Sequence, residues 1–213
     1  MAQTPNAVAA GAPQRTRTPA STRPTDQENL MAGRQLLTRS LHDVGLAAWF
    51  GGSLMGAVGL NGAAAAVRDP GDRTRVAAAG WAKWAPVQGV ALAAHLVGDV
   101  ALLVRNSGRV ATQQGAGANT AVKTALTAAA LGITVWSGIE GARLGKETPT
   151  PAAGATEPTG GTDEHTASAQ RRLKVLQWSI PALTGVLLVL TSQQGEQQKP
   201  RQIAAGVVKN LLP

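Results

Sequence analysis

The sequence predicts an all-α protein in which four transmembrane helices form a bundle, with a disordered N-terminal arm and a flexible linker before the last helix. Two observations predict this fold class. The chain of 213 residues contains four long apolar runs that are separated by polar segments. Hydrophobic residues make up 44% of the chain but aromatic residues only 3%, so the apolar side chains are mostly small. Small side chains favour the close packing of helices in membranes.

The N-terminal arm, residues 1–35, is rich in Pro, Thr, Ala, Gln and Arg and has no hydrophobic periodicity. This composition predicts disorder. The arm is basic, but its arginines are few and no aromatic side chains alternate with them to stack on bases. We therefore expect no nucleic-acid partner, and contact with anionic lipid if the termini are cytoplasmic.

The next segment, residues 36–142, is predicted to hold three transmembrane helices. The first, residues 44–67, contains no charged residue. Its length of about 36 Å as a helix exceeds the roughly 30 Å of the hydrocarbon core. A buried helix of a soluble bundle would show a charged face, which this run lacks. A cleaved signal peptide is the other alternative, but both this run and the polar segment before it are too long for one.

The second and third transmembrane helices are predicted over residues 85–104 and 120–142. Pro86 suits the first turn of a helix, where its missing N–H is not needed. The third run has the fewest consecutive uncharged residues, because Lys123 and Glu140 lie within it. We expect both side chains near the membrane interfaces.

The last third of the chain alternates polar and apolar segments. Residues 143–173 are rich in Pro, Gly and Thr, which predicts a flexible polar linker. Residues 174–192 form the fourth predicted transmembrane helix. The tail, residues 193–213, is interpreted either as a short amphipathic helix at the membrane surface or as disordered chain.

Four crossings place both termini on one side of the membrane. Lys and Arg are slightly more numerous on that side, so the positive-inside rule predicts a cell-membrane protein with cytoplasmic termini. Four tryptophans fall near the opposite side and predict an interfacial aromatic belt there: Trp81, Trp84, Trp136 and Trp178.

A stripe of glycines marks one face of the first helix. Gly52 and Gly56 have the spacing of a GxxxG motif, and Gly59 extends the small surface. Such a stripe lets two helix backbones approach closely. It predicts either a dimerisation face or packing within the bundle, and the second is favoured because this spacing arises easily in a chain with 25 glycines.

Polar residues mark one face of the second helix. Gln88, His95 and Asp99 are spaced by seven and four residues, which places them on the same side of a helix. Lipid offers such side chains no partner, so this face should point into the bundle. His42 and Asp43 begin the first helix at the same membrane side, and together these five residues form the candidate intramembrane polar site.

Asp99 is expected to meet His42 or Arg39 across a helix pair. Three roles remain open for this polar site: hydrogen bonds that fix the helix register, a path for protons or a small solute, and ligation of haem or metal by His95 with His42 as second ligand. We favour the first, because a path needs polar groups on both sides of the membrane.

Little in the sequence indicates catalysis. The chain has no Cys, which excludes disulfides, thiolate metal sites and cysteine nucleophiles. Phosphate-binding loops and the common hydrolase motifs are also missing. We therefore expect no enzymatic activity and no cofactor.

The sequence accordingly predicts a scaffold or accessory subunit that acts through helix packing. Its expected partners are the lipid bilayer and either further copies of the chain or a larger membrane complex. The alternative is passage of protons or a small solute along the face of Gln88, His95 and Asp99.

Three stretches carry a resemblance to known proteins. "LHDVGLAAWFGGSLMGAVGLN", "DPGDRTRVAAAGWAKWAPVQ" and "AAHLVGD" together resemble small four-helix integral membrane proteins of actinobacteria, over residues 36–142. That group has no assigned activity. The resemblance therefore implies a membrane fold and assigns no functional residue.

Overall fold

A computed structural model describes the backbone of residues 26–112 and 116–211, and the side chains of residues 26–105 and 118–193. Four helices account for most of this part of the chain: α1 (Asp26–Ala65), α2 (Arg73–Thr112), α3 (Ala116–Leu144) and α4 (Glu164–Leu211). All four are long and apolar enough to span a membrane. The predicted all-α fold class is confirmed.

The helices form a bundle in which each packs against two others. α1 packs against α2 and α4, and α3 packs against the same two helices. The buried apolar centre draws on α1, α3 and α4 and consists of Leu46, Trp49, Ala130, Ile180 and Leu187. Large apolar side chains on the outer faces remain exposed, as expected of helices surrounded by lipid.

The first three helices are longer than the apolar runs that predicted them. α1 begins at Asp26, inside the predicted disordered arm, whose residues 1–25 lie outside the described residues. α2 begins at Arg73, so Pro86 lies in the helix interior instead of its first turn. Hydropathy marks only the part of a helix that fits the membrane, whereas backbone hydrogen bonds continue into the polar ends.

α4 also extends beyond its predicted run at both ends. It begins at Glu164, within the predicted linker, where the Asp163 carboxylate accepts a hydrogen bond of 2.9 Å from the backbone N–H of Thr166. This N-cap bond holds the pKa of the Asp163 carboxyl below its usual range. The helix continues to Leu211, so the predicted C-terminal tail is mostly a continuation of the same helix.

The connection between α3 and α4 differs from a flexible linker because it folds over the end of the bundle. The Arg73 guanidinium donates to the carbonyl oxygens of Val67, Ala152 and Ala153 at 2.9, 3.0 and 3.1 Å. The fully buried Gln170 amide lies 3.3 Å from the carbonyl oxygens of two further loop residues, Gly154 and Ala155. These hydrogen-bond partners come from segments that are distant in the sequence. Composition does not reveal them, and it therefore predicted a flexible linker.

Within α1, the segment Gly56–Leu60 forms a π-helical turn. The backbone N–H of Asn61 reaches the carbonyl oxygen of Gly56, five residues earlier. A π turn holds one residue more than an α turn, which rotates the following part of the helix by about 100°. The turn thereby sets the direction in which the Asn61 side chain points.

The four-helix arrangement predicts a defined membrane topology. Reporter fusions after Lys146 and after Asp69 should report one compartment, because two membrane crossings separate these two loops. A fusion after Leu212 should report the other compartment, because one further crossing separates it from Lys146. Alkaline phosphatase and fluorescent-protein fusions measure this. Identical compartments for Lys146 and Leu212 would contradict four crossings.

Candidate functional site

The candidate site forms where α1 and α2 come closest. A Cβ atom added to Gly45 would lie 2.5 Å from the backbone nitrogen of His95 and 2.6 Å from the carbonyl oxygen of Ala91. A Cβ atom on Gly98 would lie 2.6 Å from the backbone nitrogen of His42. Only glycine fits at either position, and the two glycines bring the backbones that carry His42 and His95 into contact.

This contact stacks two buried histidines. The ring centroids of His42 and His95 are 4.6 Å apart, and the two side chains are only 2% and 1% exposed. His42 Nδ1 lies 2.7 Å from a carboxylate oxygen of Asp43, and its Nε2 lies 3.8 Å from a carboxylate oxygen of Asp99. When His42 is protonated, each of its N–H groups therefore faces a carboxylate.

The hydrogen bond of His95 fixes its neutral tautomer. His95 Nδ1 lies 3.2 Å from the carbonyl oxygen of His42, and because a carbonyl can only accept, Nδ1 carries the proton. The lone pair of neutral His95 is then on Nε2. This atom is buried and has no hydrogen-bond partner among the described residues.

A third helix contributes a cation that the sequence did not assign to the site. Lys123 of α3 is half-buried and interacts electrostatically with both Asp99 and Asp43. It was predicted to lie at the membrane interface. The structure therefore brings together four of the five predicted polar residues, namely His42, Asp43, His95 and Asp99, and adds Lys123. We call these five residues the charged cluster.

Gln88, the fifth predicted residue, is not part of the charged cluster. Its carbonyl oxygen accepts a hydrogen bond of 2.7 Å from the indole N–H of Trp84, one turn earlier in α2. Seven residues separate Gln88 from His95, which is about 10 Å of helix rise. The side-chain nitrogen of Gln88 is also buried without a partner among the described residues.

An apolar layer separates the charged cluster from the rest of the bundle interior. Trp49 is fully buried beside His95, with ring centroids 5.9 Å apart, and packs in one core with Leu46 and Leu187. Its indole N–H donates to the hydroxyl of Thr134 at 3.1 Å. The layer is thus held across the bundle by a hydrogen bond as well as by packing.

The predicted glycine stripe packs inside the bundle. The rings of Trp84 and Trp81 lie against Gly52 and Gly56, respectively, and fill the space that a Cβ atom would need. Gly59 faces the side chain of Met55 in its own helix. The two tryptophans thus pack against α1, and the predicted interfacial belt stays a prediction.

Sequence reasoning missed a second polar group, which links three helices. The side-chain amide of Asn61 donates to Gln177 at 2.6 Å, and the Trp81 indole N–H donates to Asn61 at 3.1 Å. Asn61 and Gln177 are both buried. Asn61 and Gln177 are each the single side-chain amide of an apolar run, which was the signal in the sequence. Spacing alone does not show that two amides on different helices are paired.

An ion pair joins α3 to α4 at the opposite end of the bundle from the charged cluster. Glu140 is only 5% exposed, and the half-exposed Arg172 guanidinium binds it through Nε at 3.0 Å and through a second nitrogen. The predicted position of Glu140 near a membrane interface stays a prediction. Burial of this carboxylate is supported by its double hydrogen bond.

The geometry gives little support to a metal or haem site. Among the described residues, no group of three or more His, Asp or Glu side chains is arranged to hold a metal ion. The His42 and His95 rings lie against each other, and both nitrogens of His42 face carboxylates. A haem ligated by both histidines would lie between the two rings, which would therefore have to be farther apart.

Comparison with known proteins returns no match: no protein-family model, no curated protein and no solved structure is similar to this chain. The resemblance to actinobacterial membrane proteins therefore stays a prediction.

Substitution of glycine in α1 tests the close contact of α1 with α2. Gly45→Ala should lower the free energy of unfolding by about 1–3 kcal/mol, because the added methyl group meets backbone atoms that cannot move aside. Gly51→Ala is the matched control, since nothing lies within 4 Å of its Cβ position. It should keep or raise stability, because Ala favours helix by about 1 kcal/mol over Gly. Thermal unfolding in detergent measures both variants, and equal melting temperatures would contradict the contact.

Proposed function

We propose that this chain is a multi-pass protein of the cell membrane, with cytoplasmic termini, that acts as a non-enzymatic scaffold or accessory subunit. Its resemblance to small actinobacterial membrane proteins belongs to the same proposal. The observation that carries it is an open apolar face along α1 before its π-helical turn. Partners in such a role are bound through the packing of helices.

The outer face of α1 repeats every seven residues. Leu30, Leu37 and Val44 are 69%, 61% and 67% exposed, and Gly51 of the same series has open space beside it. Apolar residues at a spacing of seven form the seam of left-handed helix pairs. This seam is separate from the Gly52 and Gly56 positions, which α2 already covers.

Part of this seam lies beyond the membrane. α1 has 40 residues and is about 60 Å long, about twice the thickness of the hydrocarbon core. Its charged residues precede Val44, so the part that carries Leu30 and Leu37 extends from the bilayer. Lipid can cover Val44, but exposed Leu30 and Leu37 gain free energy from a protein partner.

A second copy of the chain fits this seam. In a membrane, two copies in the same orientation are related by a twofold axis along the membrane normal, so that each residue of α1 meets its equivalent at the same depth. Each apolar side chain of the seam, and Gly51, then packs against the same residue of the second copy. A scaffold that acts as such a dimer does not depend on any reaction at the charged cluster.

Cysteine cross-linking tests the role of α1. The chain has no Cys, so Leu30→Cys introduces a unique thiol, and oxidation in native membranes should give a disulfide-linked dimer. Leu103→Cys on α2, also exposed, is the matched control and should remain monomeric. A specific adduct of larger mass at Leu30 would favour a larger complex over a second copy. Equal reaction at both sites, or none at Leu30, would contradict the proposal.

The second candidate function is passage of protons or a small solute. The observation that favours it is a pair of buried polar atoms without partners, Nε2 of His95 and the side-chain nitrogen of Gln88, on one face of α2. A path for protons or a small solute would supply both atoms with partners. Against this function, the layer of Leu46, Trp49 and Leu187 is fully packed.

Flux measurements distinguish the two functions. Purified protein in liposomes that contain a pH-sensitive dye should show no proton flux above that of empty liposomes, because the apolar layer closes the bundle. Asp99→Asn is the informative variant, since Asn cannot exchange a proton at neutral pH. Flux by the wild type that disappears in folded Asp99→Asn protein would replace the scaffold function with the transport function.

A further inference from the structure

We infer that His42 and His95 form a proton-operated latch: when both imidazoles are protonated, α1 and α2 separate at the end of the bundle that holds the charged cluster. The inference rests on the geometry of the cluster and is independent of which partner α1 binds.

The two carboxylates of the charged cluster can balance two of its cations but not three. Asp43 and Asp99 supply two negative charges, and Lys123 supplies one positive charge. An imidazolium at His42, between the two carboxylates, would supply the second positive charge. Asp43 and Asp99 are 61% and 36% exposed, so the two imidazoles, at 2% and 1%, are the most buried members of the cluster.

A second proton unbalances the charged cluster. The vacant acceptor in the pair is Nε2 of His95, which is buried and unpartnered among the described residues. Its protonation would place a second imidazolium 4.6 Å from the first, since that distance separates the ring centroids. Repulsion between like charges is strong where water is excluded, and His95 is almost fully buried.

The backbone contact prevents the rings from moving apart on their own. The backbone and Cβ of His42 lie against Gly98, and the backbone of His95 lies against Gly45. The His95 ring is also held to the backbone of α1, because its Nδ1 donates to the His42 carbonyl oxygen. Separation of α1 from α2 is therefore the movement that admits water and relieves the repulsion.

Among the described residues, the other helices supply no carboxylate that offsets the second imidazolium. Arg39 of α1, three residues before His42, and Lys123 of α3 are further cations, and α4 has no titratable residue between Lys174 and Gln193. Asp43 and Asp99, on α1 and α2, are already matched by His42 and Lys123. Histidine is the side chain most easily protonated in proteins by mild acid, so lowering the pH is the signal that operates the latch.

Distance measurements between spin labels test the latch in the full-length protein in lipid nanodiscs. One pair of labels, on Cys substituted for Leu37 and Leu103, reports the end of α1 and α2 that holds the charged cluster. A control pair, on Cys substituted for Val58 and Val76, reports the other end. All four side chains are exposed, so the labels leave the core intact. Between about pH 8 and about pH 5, the first distance should lengthen and broaden while the second stays constant.

Three variants test which histidines cause the change in distance. His95→Gln should remove it, because the Gln amide still donates to the His42 carbonyl oxygen but takes up no proton. His42→Gln should remove it as well, because protonation of His95 then restores balance against the two carboxylates. His165→Gln is the control and should respond like the wild type, since His165 lies at the far end beside Glu147.

The outcomes separate clearly. A lengthening that occurs only in the Leu37–Leu103 pair and disappears in either cluster variant supports the latch, and His42→Gln decides alone if His95→Gln does not fold. An unchanged distance in the wild type, equal changes in both label pairs, or a wild-type response in a folded cluster variant would overturn it. None of these results depends on dimer formation at Leu30, so the scaffold proposal is tested separately.

Discussion

The close approach of α1 and α2 at Gly45 and Gly98 is the constraint on which the polar interior of this protein depends. Each glycine lies against the backbone of the other helix, next to a histidine. A larger residue at either position would separate His42 from His95 and leave buried nitrogens without partners. Packing and electrostatics are thus coupled at one contact: small residues allow the approach, and the approach makes the charges tolerable.

The interior is arranged in levels along the bundle. At one end of the bundle, the charged cluster joins α1, α2 and α3. A central apolar level follows, crossed by the bond from Trp49 to Thr134. Beyond it, Asn61 links α1 to α2 and α4, and the loop before α4 covers the far end. Interhelical hydrogen bonds at several levels fix the helix register, which apolar packing alone specifies poorly.

Much of the fold was predictable because hydropathy is a property of the chain itself. Four apolar runs predicted the four helices, and the spacing of His95 and Asp99 predicted their common face. The remainder depends on tertiary contacts. Gln88 shares that face but bonds to Trp84, and Lys123 reaches Asp99 only because α3 packs beside α2. The glycine stripe was visible, but the tryptophan rings that fill it were not, and neither was the π turn that directs Asn61.

The length of α1 gives its contact with α2 a mechanical consequence. Gly45 acts as a fulcrum, and the stretch from Gly45 back to Leu30 is an arm of about 22 Å. A tilt of about 10° around the fulcrum moves the tip of this arm by about 4 Å. Because the far ends of the helices are tied by Arg73 and Gln170, such a tilt leaves them in place. A displacement too small to disturb the core is thus amplified at the beginning of α1.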